Sequence, residues 1–223
     1  MVAYFSTFYV TWSSMDEEIS IINSNSRNEK IKNFIIHNKK IIISVVVILL
    51  IIIVSIYSYE KYKIKKRKNI SESFNLITLE YSEKSKNKTA NKLIEIINEK
   101  DPTYSPLSLY FIIDNEIVSD RNQINGYFDI LIDKTGLDRE IKNLVIYKKA
   151  LFNADKSNES DLLSILNSLI KSETVWKSHA LYLMAEFFYA KDQKQKAKEF
   201  FNQIISLENP NPDIRLQAEK RLI

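Results

Sequence analysis

The residues that could perform chemistry are few in this chain. It has two histidines, His37 and His179, and no cysteine. Neither histidine has a second histidine at the spacing of a metal site, so we expect His179 to be a packed or surface residue. Thiol catalysis, disulfides and cysteine-ligated zinc are excluded, because each requires cysteine.

Phosphate-binding loops are also missing from the sequence. The only glycines, Gly126 and Gly136, are isolated, whereas such loops need several glycines close together. The acidic groups Asp16–Glu18 and Glu159 with Asp161 are expected to be solvated. We therefore predict a protein that is not an enzyme and has no cofactor, metal or small-molecule substrate. A hydrolase that uses His179 with an acidic partner is the enzymatic alternative.

A long apolar run follows Lys40. Between Ile41 and Tyr57 there is no charge, glycine or proline. As a helix at about 1.5 Å per residue, Ile41–Tyr59 would cover about 28 Å, close to the hydrocarbon thickness of a bilayer. Its β-branched residues favour a strand in water, but a single segment in lipid must pair its own backbone groups. We predict a transmembrane helix over 39–59, acting as an uncleaved signal anchor.

Charge is distributed unevenly on the two sides of residue 68. Residues 1–68 carry 11 Lys and Arg against 5 Asp and Glu, whereas 69–223 carry 21 against 23. We therefore predict that 60–68 is a basic flank that contacts lipid headgroups, and that the protein binds no nucleic acid. The scarcity of glycine and proline favours helices over a turn-rich β fold in 69–223.

The segment before the span, 1–38, is expected to be a short polar lead. The first fourteen residues are unpatterned, and Met15 opens an acidic stretch, so we expect translation to start there. Ile31, Phe34 and Ile35 fall on one side of a short amphipathic helical segment. We expect little function in this lead.

A repeat of about 35 residues runs through 69–223. One position of the repeat is filled by Ala90, Gly126, Leu162 and Ala197, which are 36, 36 and 35 residues apart. The position four residues later is filled by Ile94, Ile130, Leu166 and Phe201. The position twelve residues before the first is filled by Thr78, Asp114, Ala150 and Ala185. Apolar pairs at i and i+4, recurring at this period, predict the second helix of stacked helix–turn–helix units.

Breaks in this pattern divide the repeat region into nine helices. The predicted ranges are about 69–85, 88–99, 104–119, 122–135, 138–153, 158–172, 175–191, 193–207 and 211–222. Asp138 is a plausible N-cap, and Lys191–Asp192 is a turn. We therefore predict an all-α fold with one transmembrane helix, four helix hairpins and a C-terminal capping helix.

The last hairpin resembles a tetratricopeptide repeat. Leu181, Met184, Ala185 and Phe188 line one face of its first helix, and Ala197, Phe201 and Ile204 line the returning helix after a short polar turn. Two units depart from the tetratricopeptide pattern, since Asp114 replaces a small residue and Leu162 replaces alanine. The resemblance implies a tetratricopeptide-like α-solenoid over 69–223.

The whole layout resembles the membrane-anchored tetratricopeptide family of ancillary SecYEG translocon subunits. The resemblance covers Met15–Ile223 and includes Tyr104–Asp120, Trp176 and the apolar end Leu222–Ile223. It implies a bacterial inner-membrane protein with a cytoplasmic N-terminus and a periplasmic repeat domain. The implied partners are Sec translocon subunits, a periplasmic chaperone or a nascent secreted polypeptide.

A repeat superhelix works through its concave face, formed by the first helix of each hairpin. The candidates for partner contact there are Tyr81, Tyr110, Asp114, Tyr147, Lys148, Tyr182, Glu186 and Tyr189. Aromatic side chains with scattered polar groups suit an extended or partly folded polypeptide. Ordinary helix–helix packing is the alternative role for each tyrosine.

Orientation is not decided by charge. Five basic residues precede the span from Arg27 to Lys40, and six follow it from Lys61 to Lys68. Taken literally, the positive-inside rule leans towards a cytoplasmic repeat domain. The alternative function is therefore a membrane-tethered cytosolic adaptor in division or envelope assembly.

Overall fold

A computed structural model describes residues 27–222, and this part of the chain is all-helical with no strand. The predicted fold class, all-α, is confirmed. Met15 and Asp16–Glu18 lie outside the described residues. The ten α-helices are α1 (27–37), α2 (Lys39–Leu79), α3 (Lys86–Asn98), α4 (Tyr104–Asp114), α5 (Arg121–Asp129), α6 (Arg139–Asn153), α7 (Glu159–Lys171), α8 (Lys177–Ala190), α9 (Lys194–Ile205) and α10 (Pro212–Leu222).

The apolar run forms the first half of α2. This helix has 41 residues, and none of its 18-residue apolar window is buried by the part of the chain that the structure describes. Ser55 sits within the run, and its hydroxyl donates to the Ile51 carbonyl at 2.7 Å, so the polar group is satisfied inside the helix. The helix is long and apolar enough to cross a membrane, and the prediction of a helix over a strand is confirmed.

The chain divides into two compact units between Lys65 and Lys66. In the second unit, Lys66 forms an ion pair with Glu99 at 2.8 Å, and the Arg67 guanidinium donates to the Thr103 hydroxyl at 2.9 Å. The last part of the predicted basic flank therefore belongs to the folded unit.

Two apolar clusters fill the second unit. The first takes buried residues from the end of α2 through α5, with Leu93, Leu109 and Phe128 fully enclosed. The second takes them from α6 through α10. Neighbouring residues of α6 serve both clusters, since Val145 belongs to the first and Ile146 to the second. Helix α6 is therefore the wall that the two clusters share.

Consecutive helices from α3 to α10 pack against one another, and some alternate helices also touch. Helix α6 contacts α8, and α8 contacts α10. The alanines at these crossings, Ala150, Ala180, Ala185 and Ala218, are completely buried. Small side chains let helix axes approach closely, which explains how α8 can contact helices on several sides.

Helices α4 and α8 end in the same hydrogen-bonded motif. Glu116 and Asp192 adopt positive φ angles of 48° and 56°, and the next residue's N–H bonds back to Ile112 and Phe188 respectively, each at 2.9 Å. This is the Schellman arrangement. The predicted turn at Lys191–Asp192 is confirmed. The motif also ends α4 at Asp114, earlier than predicted.

Side-chain N-caps are present at the starts of α5 and α7, but not at the start of α6, where one was predicted. Asp138 occupies the N-cap position of α6, but its side chain makes no capping bond. Asp120 accepts from the Asn122 amide at 2.9 Å at the start of α5, and Asn158 accepts from the Asp161 amide at 2.9 Å at the start of α7.

One of the two predicted packing positions in the second hairpin, Gly126, is wrong, whereas Ile130 packs against the first apolar cluster. Gly126 is exposed, and a side chain there would meet no atom within 4 Å, while Ile130 is only half-buried. The buried residues of this helix and of the turn that follows it are Ile124, Tyr127, Phe128 and Leu131. Two residues rotate a helix by about 200°, so an alignment displaced by two positions selects the opposite face.

Unequal connections between the helices produce this error. With Ile124 in the repeat position, the spacings become 34, 38 and 35 residues instead of nearly constant values. The chain from Ile130 to Lys134 is also π-helical, which shifts the face that later residues present. The other packing candidates Ala90, Ala150, Leu162, Leu166, Ala185, Ala197 and Phe201 are buried, and Ile94 is half-buried.

This register predicts opposite responses at two positions that the repeat alignment treats as equivalent. Gly126→Leu should be neutral or stabilising, because leucine has the higher helix propensity and enters open space. Ala197→Leu should destabilise by about 1–3 kcal/mol, because Ala197 is enclosed. Thermal unfolding of the full chain in detergent, followed by circular dichroism, checks both. A large destabilisation by Gly126→Leu would contradict the register.

Candidate interaction surface

Most of the candidate residues lie on alternate helices of the second unit. Tyr110 and Asp114 lie on α4, Tyr147 and Lys148 on α6, and Tyr182, Glu186 and Tyr189 on α8. Because α6 touches α8 and α8 touches α10, their side chains form neighbouring groups. Tyr81 is the exception. It was expected on a helix over 69–85, but α2 ends at Leu79, and Tyr81 instead packs edge-on against Phe111.

The first group joins α4 to α6. Tyr110, Asp114 and Lys148 line one small cavity of about 200 Å³, whose remaining walls are Ile113, Phe128, Leu151 and Phe152. The Lys148 ammonium lies 4.9 Å from the centre of the Tyr110 ring, within range of a cation–π interaction. Asp114, which the repeat pattern places where the third and fourth units have alanine, is exposed at the rim.

Tyr110 carries an unsatisfied polar group. Its hydroxyl is enclosed and has no hydrogen-bond partner among the described residues. Burial disfavours the ionised phenolate and raises the pKa of Tyr110 to about 12. An additional hydrogen-bonding group at this position would remove the cost of the unpaired hydroxyl.

The second group joins α6 to α8. Trp176 stacks on Tyr147 with ring centres 5.7 Å apart, and its indole N–H donates to the Glu140 carbonyl at 3.1 Å. His179 packs against both rings, at 5.1 Å from Trp176 and 5.7 Å from Tyr147. Burial lowers the pKa of His179, since it disfavours the imidazolium, and raises that of Tyr147. The expectation of a packed histidine fits these contacts.

The third group joins α8 to α10. Arg221 binds the Glu186 carboxylate at 2.8 Å and covers the Tyr189 ring, with its guanidinium carbon 4.5 Å from the ring centre. Tyr182 packs on Phe201 beneath them. Burial raises the pKa of Tyr182, and the Glu186 charge adds to this shift. Both Tyr189 and Arg221 keep substantial exposed surface.

Arg221 is the residue of this surface that sequence reasoning missed. Arg221 lies in the last turn of the final helix, where a basic side chain interacts favourably with the helix dipole. That position was the only indication of its role in the sequence. Glu140 was missed as well, because its contribution to the Trp176 site comes from a backbone carbonyl. Every residue type has a backbone carbonyl, so this contact cannot be predicted from the identity of the residue.

The combined surface has the chemistry of binding by stacking, cation–π contact and hydrogen bonding. It brings four tyrosines from three helices together with charges of both signs. Among residues 27–222, no group of three or more His, Cys, Asp or Glu side chains is arranged to hold a metal ion.

Two tyrosines allow the role of the orphaned hydroxyl to be measured. Tyr110→Phe should leave stability unchanged or increase it, because the lost hydroxyl had no partner. Tyr104→Phe should cost about 0.5–1.5 kcal/mol, because the Tyr104 hydroxyl donates to Ser71 at 2.7 Å. Thermal unfolding of both variants gives the comparison. Equal destabilisation by the two would contradict the assignment.

Alkaline pH should destabilise the fold through the same residue. Tyr110 ionises near its ordinary pKa of 10.0 when unfolded and at about 12 when folded. The folded chain therefore retains a proton that the unfolded chain loses, and stability should fall as pH rises from about 10 to about 12. Tyr110→Phe should reduce this decline in a pH series of melting temperatures. An unchanged decline would show that other tyrosines account for it.

The chain matches no protein-family model, no curated protein and no solved structure. Its function must therefore be inferred from the chemistry of α2 and of the surface on α4, α6 and α8.

Proposed function

We propose that this chain is a non-enzymatic, single-span membrane protein that displays a tetratricopeptide-like interaction domain beside the Sec translocon. In this proposal the domain handles secreted or envelope proteins together with translocon subunits and a periplasmic chaperone. The observation that carries it is the pairing of an uncovered apolar half-helix with a tyrosine-rich surface on alternate helices.

The order of helix contacts supports a solenoid of hairpins. In such an array the first helix of each hairpin packs on its own partner and on the first helix of the next hairpin. The contacts of α8 with α9, α6 and α10 fit this rule. On this assignment α10 is the cap, and α4, α6 and α8 form the inner face that a partner meets.

Exposure of the apolar run supports a membrane anchor. Apolar side chains from Ile43 to Val54 are about half to two-thirds exposed on every face of α2. Burying one such side chain is worth about 1.5–3 kcal/mol, so leaving the whole run in water would cost on the order of tens of kcal/mol. A bilayer removes this cost without requiring a protein partner.

The surface chemistry supports polypeptide as the partner. Tyrosine supplies a large contact area at small entropic cost, and the phenol hydroxyls can bond to main-chain groups. The charged residues alternate in sign along the surface, with Asp114 beside Lys148 and Glu186 beside Arg221. Such a surface accommodates segments of varied sequence, which is what a translocon-associated protein meets.

Basic residues after the span favour a second candidate, a cytosolic adaptor in division or envelope assembly. Residues 61–68 carry six positive charges, one more than the segment before the span. In this version the same surface would bind a cytosolic protein, and orientation alone separates the two candidates.

Photocrosslinking tests both the surface and the compartment. A benzoylphenylalanine at Tyr189, which is 41% exposed on α8, should give adducts with translocon subunits or periplasmic chaperones. The matched control is the same probe at Leu163, which is 38% exposed on α7. Adducts at Tyr189 with cytosolic proteins alone would support the adaptor, and equal adducts at both positions would contradict the surface. Reporters of each compartment fused after Ile223 give the orientation independently.

A further inference from the structure

Helix α1 has a second apolar surface that the anchor does not explain. Ile31, Phe34 and Ile35 are 51%, 64% and 49% exposed. At about 100° per residue they share one stripe of the helix, because they are spaced at i, i+3 and i+4. Ile36 lies outside this stripe. In the described part of the first unit, no side chain buries these three residues.

Charged residues border this stripe symmetrically. Lys30 and Lys32 fall about 90–110° to either side of it, while Glu29 and Asn33 fall on the opposite face. Lysines at such borders can bury their alkyl stems along an apolar phase and keep the ammonium in water. This is the side-chain distribution of a helix that lies in a membrane interface.

A turn at Asn38 separates α1 from α2. Both the backbone N–H and the side-chain amide of Asn38 donate to the Phe34 carbonyl, at 3.0 and 3.1 Å. The apolar run begins at Ile41, only three residues after this turn. The chain therefore keeps the turn at the end of α1 within about 10 Å of the start of the run.

We propose that α1 is an interfacial helix that lies on an anionic lipid surface, with Ile31, Phe34 and Ile35 in the bilayer. The inference rests on the proposed membrane anchor, because the span brings α1 to the bilayer. Charge complementarity selects anionic lipid. Five cations, Arg27, Lys30, Lys32, Lys39 and Lys40, stand against the single acid Glu29 between residues 27 and 40.

The absence of native cysteine allows a direct test in the full chain. Single cysteines at Phe34, Asn33 and Leu50 are spin-labelled, and the chain is reconstituted into phosphatidylcholine vesicles containing phosphatidylglycerol. Collision with oxygen should dominate at Phe34→Cys, whereas collision with a water-soluble nickel chelate should be severalfold higher at Asn33→Cys. Similar exposure to the nickel chelate at both positions would overturn the interfacial helix.

The Leu50→Cys label separates this inference from the anchor itself. A label at Leu50 that is protected from the nickel chelate, combined with equal exposure at 33 and 34, would refute the role of α1 and leave the anchor intact. Exposure at Leu50 would refute the anchor. Spin–spin broadening at Phe34→Cys would show instead that a second copy covers the stripe, which also overturns the lipid assignment.

Charge reversal tests the choice of lipid. Lys30→Glu with Lys32→Glu should reduce the difference between the labels at 33 and 34 in anionic vesicles, because each lysine near an anionic surface contributes about fivefold to binding. The matched control is Lys61→Glu with Lys63→Glu, which makes the same change of charge on the other side of the span. It should leave α1 in place. An equal loss with both pairs would overturn the proposal.

Discussion

The apolar run in α2 is the constraint on which the rest of this molecule depends. Among the described residues, none buries the side chains of the apolar window in this helix. A helix satisfies all of its backbone groups internally, and Ser55 satisfies its hydroxyl in the same way. The segment can therefore be transferred whole into lipid, and both proposed roles of the chain follow from that transfer.

The folded unit joins many short helices without one large central core. It does so with two clusters that meet across α6, and with alanines that allow α6, α8 and α10 to touch. Close approach of alternate helices places their outer side chains next to one another. The tyrosine surface is therefore a consequence of the packing as well as of the residue types.

Polar groups that are left unpaired mark where this surface departs from simple packing. The Tyr110 hydroxyl is enclosed without a partner, and the Oε1 atom of Glu186 is likewise enclosed while Oε2 binds Arg221. Such groups are costly in a purely structural role. Both lie among the candidate residues, whereas the Ser108 hydroxyl and the His179 Nδ1 atom lie outside that set and are also enclosed without a partner among the described residues. A hydrogen bond from a water molecule or from a bound group would remove this cost.

The helical class, the apolar helix and most helix boundaries were determined by the sequence alone, because they depend on composition, hydrophobic period and local turn chemistry. The burial of Leu162, Leu166 and Ala197 was also readable, since these residues repeat at nearly constant spacing. The exposure of Gly126 could not be predicted from the sequence, because a shift of two residues reverses the face of a helix. Only packing against neighbouring helices decides which face is buried. The pairing of Arg221 with Glu186, and of Trp176 with the Glu140 carbonyl, was decided by tertiary structure in the same way. Those contacts join residues about 35 positions apart, and their geometry depends on how each helix is rotated rather than on what each residue is.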